Sequence, residues 1–176
     1  MDLSGERAEV PSGAILAALQ MIEVTGEDQE AAAGRVGEIT TLVNAWGVPV
    51  LTQAFSLLIF GAMSAIRPAE GEPDRLHLIV PAVLTRLGQV DWARPFLPTM
   101  AGVLTAAALG DDIWQWRVGL SPVSRAETAA WCYTAWLLAD LTDSVGFGKP
   151  GTFSRIAAEI VTSAADGGDL NDPELG

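Results

Sequence analysis

The sequence predicts an all-α fold, a single-domain irregular or orthogonal bundle of six to seven helices around one central apolar helix. Three observations carry this. Ala- and Leu-rich stretches of helical length fill the chain, and alternating β-branched runs are almost absent. Gly and Pro punctuate those stretches at their ends. A capping box, Ser124-Arg125-Ala126-Glu127, opens a long run whose apolar residues face nearly every direction. Only a helix enclosed by others tolerates that pattern, so residues 124–145 are expected at the centre.

The first helix is expected from about Pro11 to Val24, where Ile15, Leu19 and Ile22 recur at three- and four-residue spacing. Thr25 reads as the N-cap of a second helix running to Trp46. Glu27 and Asp28 fall in its first turn, and Val36, Ile39 and Val43 face inward. Gly47-Val48-Pro49 breaks the chain, and Pro49 suits the first turn of a third helix reaching Ile66. Residues 67–74, with two prolines and a glycine, form a loop. A fourth helix covers Arg75–Leu87 with a kink or restart at Pro81. A fifth opens at Pro95 and Pro98 and ends at Gly110. Asp111 to Val118 gives a short turn or helix, with Asp111-Asp112 as its cap. The last helix is expected over Thr152–Ala165. Residues 1–10 and 166–176 read as flexible acidic ends flanking the domain at 11–165.

The chain has 176 residues, 49% of them hydrophobic and only 18% charged, so there is ample apolar surface for a packed core. The net charge of −12 is unevenly placed. Residues 1–30 carry seven acids against Arg7, residues 156–176 carry five acids and no base, and the body between is nearly neutral. With no cluster of Lys and Arg to track phosphates, nucleic acid is not an expected partner, and neither is an anionic membrane surface. Nine Arg against one Lys, with abundant Ala and Gly, points to a bacterial or phage coding bias. The acidic first dozen residues lack a signal-peptide pattern, and with Cys132 as the only cysteine a cytoplasmic location is expected.

Residues 39–66 contain no charge and could supply a spanning segment of ~20 residues. The break at Gly47-Val48-Pro49 and the polar residues scattered through the run favour a core helix; an integral membrane protein is the alternative.

Candidate chemistry is sparse. Asp140 and Asp143 share one face near the C-terminal end of the apolar helix, where acids oppose the helix dipole. Lys149, Arg155 or a cation would be their partners, and they are the pair a small enzyme would use. Trp92, Trp114 and Trp116 fall in connections, where aromatics mark binding surfaces, and Trp116 or Trp114 with Arg117 has the composition of an interface hot spot. Trp131 and Trp136 are assigned to the core. His77, the only histidine, has no Gly-x-Ser-x-Gly elbow beside it, and Cys132 sits among apolar neighbours away from any helix N-terminus. Gly146, Gly148 and Gly151 superficially resemble a phosphate loop but lack its Gly-Lys-Ser/Thr ending. No cofactor or metal is expected. The function these features favour is a protein–protein interaction module: an adaptor, assembly subunit or immunity-type inhibitor, with a protein or a second copy as partner. A non-catalytic small-molecule-binding domain is the other alternative.

Overall fold

The computed structural model describes residues 10–66, 76–144 and 149–169. Among these, all regular structure is helical. The elements are α1 (Ser12–Gly26), α2 (Gln29–Gly34), α3 (Val36–Trp46), α4 (Val48–Ile66) and α5 (Leu76–Gly88). A 3-10 turn at Arg94–Phe96 follows. Then come α6 (Leu97–Leu109), α7 (Ile113–Val118), α8 (Arg125–Asp143) and α9 (Thr152–Asp169).

Two helices, not one, make the centre. α8 is enclosed as its sequence pattern demands, burying Ala130, Trp131, Ala135, Leu137 and Leu138 completely. Its main partner is α4, which itself touches α1, α3, α6, α7 and α9. Across this central seam the hydroxyls of Thr52 and Thr128 lie 2.8 Å apart in a buried hydrogen bond. Each also bonds a carbonyl one turn back in its own helix, Val48 and Ser124, so neither polar group is left unsatisfied.

α4 is the helix among the described residues that is long and apolar enough to cross a membrane. Burial accounts for that composition: Leu51, Phe55, Leu58, Ile59 and Met63 are wholly inside. Gly47 has φ 80°, a backbone that residues with a Cβ rarely adopt, and it turns the chain from α3 into α4.

Several element boundaries differ from expectation. Thr25 does not cap the second helix: it lies inside α1, its hydroxyl bonded back to the Met21 carbonyl. The cap is Asp28, whose carboxylate accepts the Ala31 N–H at 2.9 Å. The second helix is broken at Arg35, whose guanidinium is held by Glu27 at 2.8 Å and Glu38 at 2.9 Å. Val36, expected inside, is 60% exposed as a result. Pro81 sits within an uninterrupted α5. Asp112 caps α7 as expected, accepting from the backbone N–H groups of Trp114 and Gln115. α9 runs to Asp169, past the Ala165 end point expected from sequence. Residues 1–9 and 170–176 of the acidic ends lie outside the described residues, as does the 67–74 loop.

Gly-to-ring contacts set the spacing of the helices. A Cβ at Gly13 would meet the Trp46 ring at 2.8 Å, and one at Gly26 would meet the Trp136 Nε1 at the same distance. Gly102 is overlain by Trp116. Gly in a helix interior costs about 1 kcal/mol relative to Ala, and here the missing side chain is the seat of an indole.

Candidate functional site

The residues singled out in the sequence do not converge on one site. Asp140 and Asp143 take separate structural partners. Asp140 forms an ion pair with Arg86 of α5 at 2.6 Å, not with Lys149 or Arg155. Asp143 accepts the Phe153 backbone N–H at 2.9 Å, so it caps the first turn of α9. This resolves the conflict with the dipole of α8: the carboxylate that is misplaced at the end of one helix sits at the favourable start of another. Replacing Asp143 by Ala is expected to cost about 1 kcal/mol through loss of the cap; thermal unfolding of the variant measures it.

Arg117 is not a surface residue. Its side chain is 4% exposed and grips Glu127 through two bonds, Nε to Oε1 at 2.6 Å and Nη2 to Oε2 at 2.5 Å. A third bond at 2.6 Å goes to the Ser121 carbonyl, and the Trp131 indole N–H donates to Glu127 Oε1 at 3.3 Å. The capping box is therefore only half used. Ser124 accepts the Glu127 N–H, while the Glu127 carboxylate turns inward to the arginine.

The connection tryptophans are exposed to different degrees. Trp92 is 48% and Trp116 is 38% exposed, while Trp114 is half-buried. Trp92 meets Tyr133 edge-on with ring centroids 6.0 Å apart, and Tyr133 leans on Trp136 at 5.3 Å. Arg86 covers Trp136, its guanidinium carbon 5.5 Å from the ring centroid. Trp131 is core as expected, but Trp136 is only half-buried, an edge of this aromatic strip.

Sequence reasoning missed a groove of about 880 Å³ between α4 and α9. Leu57, Phe60 and Ala65 of α4 form one wall, and Ile156, Ile160 and Ala164 of α9 form the other. Its floor is Gly61, where a Cβ would meet Ile156 at 2.7 Å and Ile160 at 2.9 Å, so the two helices approach closely at the bottom. Polar groups are confined to Gln53, Ser64, Ser163 and the exposed Arg155–Glu159 ion pair at 2.7 Å. Val10, at the start of the described chain, also lines it. A signal for the groove was present in the uncharged run: Leu57 and Phe60 lie off the stripe that α4 buries, so its second apolar face needs a cover.

Cys132 is buried, and its burial pushes the thiol up to about 11, with a contact to the Thr25 hydroxyl at 3.5 Å. Its thiolate is therefore scarce at neutral pH, and native Cys132 is expected to react with a thiol-specific chromogenic disulfide at least ~100-fold more slowly than in denaturant. The raised folded-state value also means that stability is lost as pH rises from about 9 towards about 11, because the unfolded thiol ionises first. His77 is exposed on α5. Gly146 and Gly148 lie outside the described residues, and Gly151 precedes α9 with φ 81°. Among the described residues no three His, Cys, Asp or Glu side chains gather into a metal site. Compared with known families, curated proteins and solved structures, the chain matches none of them.

Proposed function

We propose that this protein is a protein–protein interaction module, an adaptor or assembly subunit, whose docking surface is the α4–α9 groove. The observation that carries this reading is the groove's shape and lining. It is open along one side, walled by aliphatic and aromatic side chains, and rimmed by a few polar groups. The groove wall from Gln53 to Ala65 extends along roughly 18 Å of helix axis. A partner helix of about three turns would run the length of that wall. This is the helix-in-groove mode of recognition. A catalytic reading loses its candidate acids, since Asp140 and Asp143 are each committed to a structural partner.

Affinity capture from the native host, with the wild type and an Ala65→Tyr variant in parallel, tests the proposal. Ala65 is exposed on the groove wall, so the substitution fills the groove and leaves the core alone. A partner retained by the wild type and lost from the variant is the expected result. A partner held equally by both places the interface elsewhere. A protein that stays monomeric at about 100 μM in light scattering and captures nothing removes the reading, since μM affinity is the weak end of specific complexes.

A further inference from the structure

Between residues 25 and 50 no side chain is buried, and α2 and α3 are the two described α-helices without a buried residue. The apolar stripe of α3, formed by Ile39, Leu42, Val43 and Trp46, only half sinks into the bundle. Its fastenings lie at its ends. Arg35 holds Glu27, just past the end of α1, at 2.8 Å, and Trp46 rests on Gly13 at the start of α1. α3 therefore lies back along α1 and runs opposite to it. A further, exposed bond from Arg125 to the Asn44 side chain, 3.2 Å long, reaches it from the start of α8. The chain enters this stretch through the extended backbone of Asp28 and leaves it through Gly47, whose φ is 80°.

The local sequence works against these two helices. At Gly13, Gly26 and Gly102 a ring takes the place of the missing side chain, but a Cβ at Gly34 or Gly37 would meet nothing within 4 Å. Neither of these two has a positive φ, so neither packing nor backbone geometry calls for glycine there. Relative to Ala, a glycine weakens a helix by up to about fivefold in its folding equilibrium. Thr40 and Thr41 also bond back to the carbonyls of Val36 and Gly37, a pattern that slightly loosens a helix. Weak local preference and thin tertiary cover coincide in one segment, while the rest of the bundle has neither defect.

We propose that residues 28–46 are a strap that melts and opens as one unit between Asp28 and Gly47 while the bundle of α1, α4 and α8 stays folded. Opening releases Trp46 from Gly13 and bares the apolar stripe of α3 together with the side of α1 it lies along. Elements that move are drawn from the least stable part of a fold, and this segment is that part. No residue of the strap lines the α4–α9 groove, so the strap is a separate device and does not depend on the docking reading.

Native-state hydrogen exchange read by mass spectrometry tests this, in the wild type and in the double variant Gly34→Ala with Gly37→Ala. Both alanines enter open space on a backbone without positive φ, so the variant keeps the fold. The amides of residues 38–46 are expected to exchange at least about 100-fold faster than those of residues 130–138 in α8. Their rates should be alike and nearly constant at low urea, because a local opening exposes little surface, while the α8 rates climb steeply. The double variant should slow exchange in the strap at least about fivefold. Strap amides protected to within about tenfold of α8, or rising as steeply with urea, overturn the proposal, since the segment then opens only with the whole molecule. Rates graded from one end of α3 to the other overturn it by showing fraying in place of a unit. Fast exchange that the alanines leave unchanged overturns it too, because the glycines are then not what loosens the helices.

Discussion

Glu127→Ala is expected to destabilise the protein by about 3–5 kcal/mol, because it leaves the Arg117 guanidinium buried without its counter-charge. For a chain of this size such a loss lowers the melting temperature by roughly 10 °C, readable by circular dichroism. The pair is 4% and 7% exposed, so removing one partner cannot be repaired by solvent. The Glu127 carboxylate also receives the Trp131 indole N–H, and its loss strands that donor in the core. Replacing both residues together, Arg117→Met with Glu127→Leu, should be much milder than the sum of the single changes. Taking an ion pair out of the interior also removes the cost of desolvating it. The double-mutant cycle decides whether this pair acts as a unit. Additive losses would show that α7 and α8 are held by their other contacts, with the ion pair a passenger. A strong coupling would make it the clasp that fixes α7, and with it the partly exposed Trp116, onto the bundle.

Phe55→Ala should cost about 3–5 kcal/mol by opening a cavity in the core, with chemical denaturation giving the value. Phe55 is fully buried on α4, whose main packing partner is α8. The same substitution at Phe60, five residues on, should cost only about 1–2 kcal/mol, since that ring is half-buried in the groove and part of its surface already meets solvent. The contrast separates the two faces of one apolar helix. A large loss at Phe60 would mean the groove is packed tightly enough to belong to the core.

How much of this was legible in advance depends on the range of the interactions. Most helix positions, the Ser124 and Asp112 caps and the enclosure of the 125–143 helix rest on periodicity and on residues within one turn of each other. Such features are written locally, and the sequence reads them correctly. The same is true of the buried, inert Cys132. Thr25 misled because a Ser or Thr near acids resembles a cap, while Asp28 three residues later does the same work and wins.

Long-range pairing was not legible. Arg117 looked like a surface hot spot because an arginine beside tryptophans carries no mark of its partner; Glu127, ten residues on, takes it inside. Asp140 and Asp143 read as one polar site because they are neighbours on a helix, yet Arg86 lies 54 residues away and the Phe153 N–H belongs to another helix. The glycines at 13, 26 and 102 scan as weak points in helices and prove to be seats for Trp46, Trp136 and Trp116. The sequence by itself determined that the chain is helical, which residues are apolar enough to form its core, and that its charge lies at the two ends. Only the tertiary structure decided that α4 shares the centre with α8, and that α9 leaves Leu57 and Phe60 beside an open groove. The physical reason is that periodicity encodes how much surface a helix must bury, while the identity of the surface that buries it depends on contacts between residues far apart in the chain.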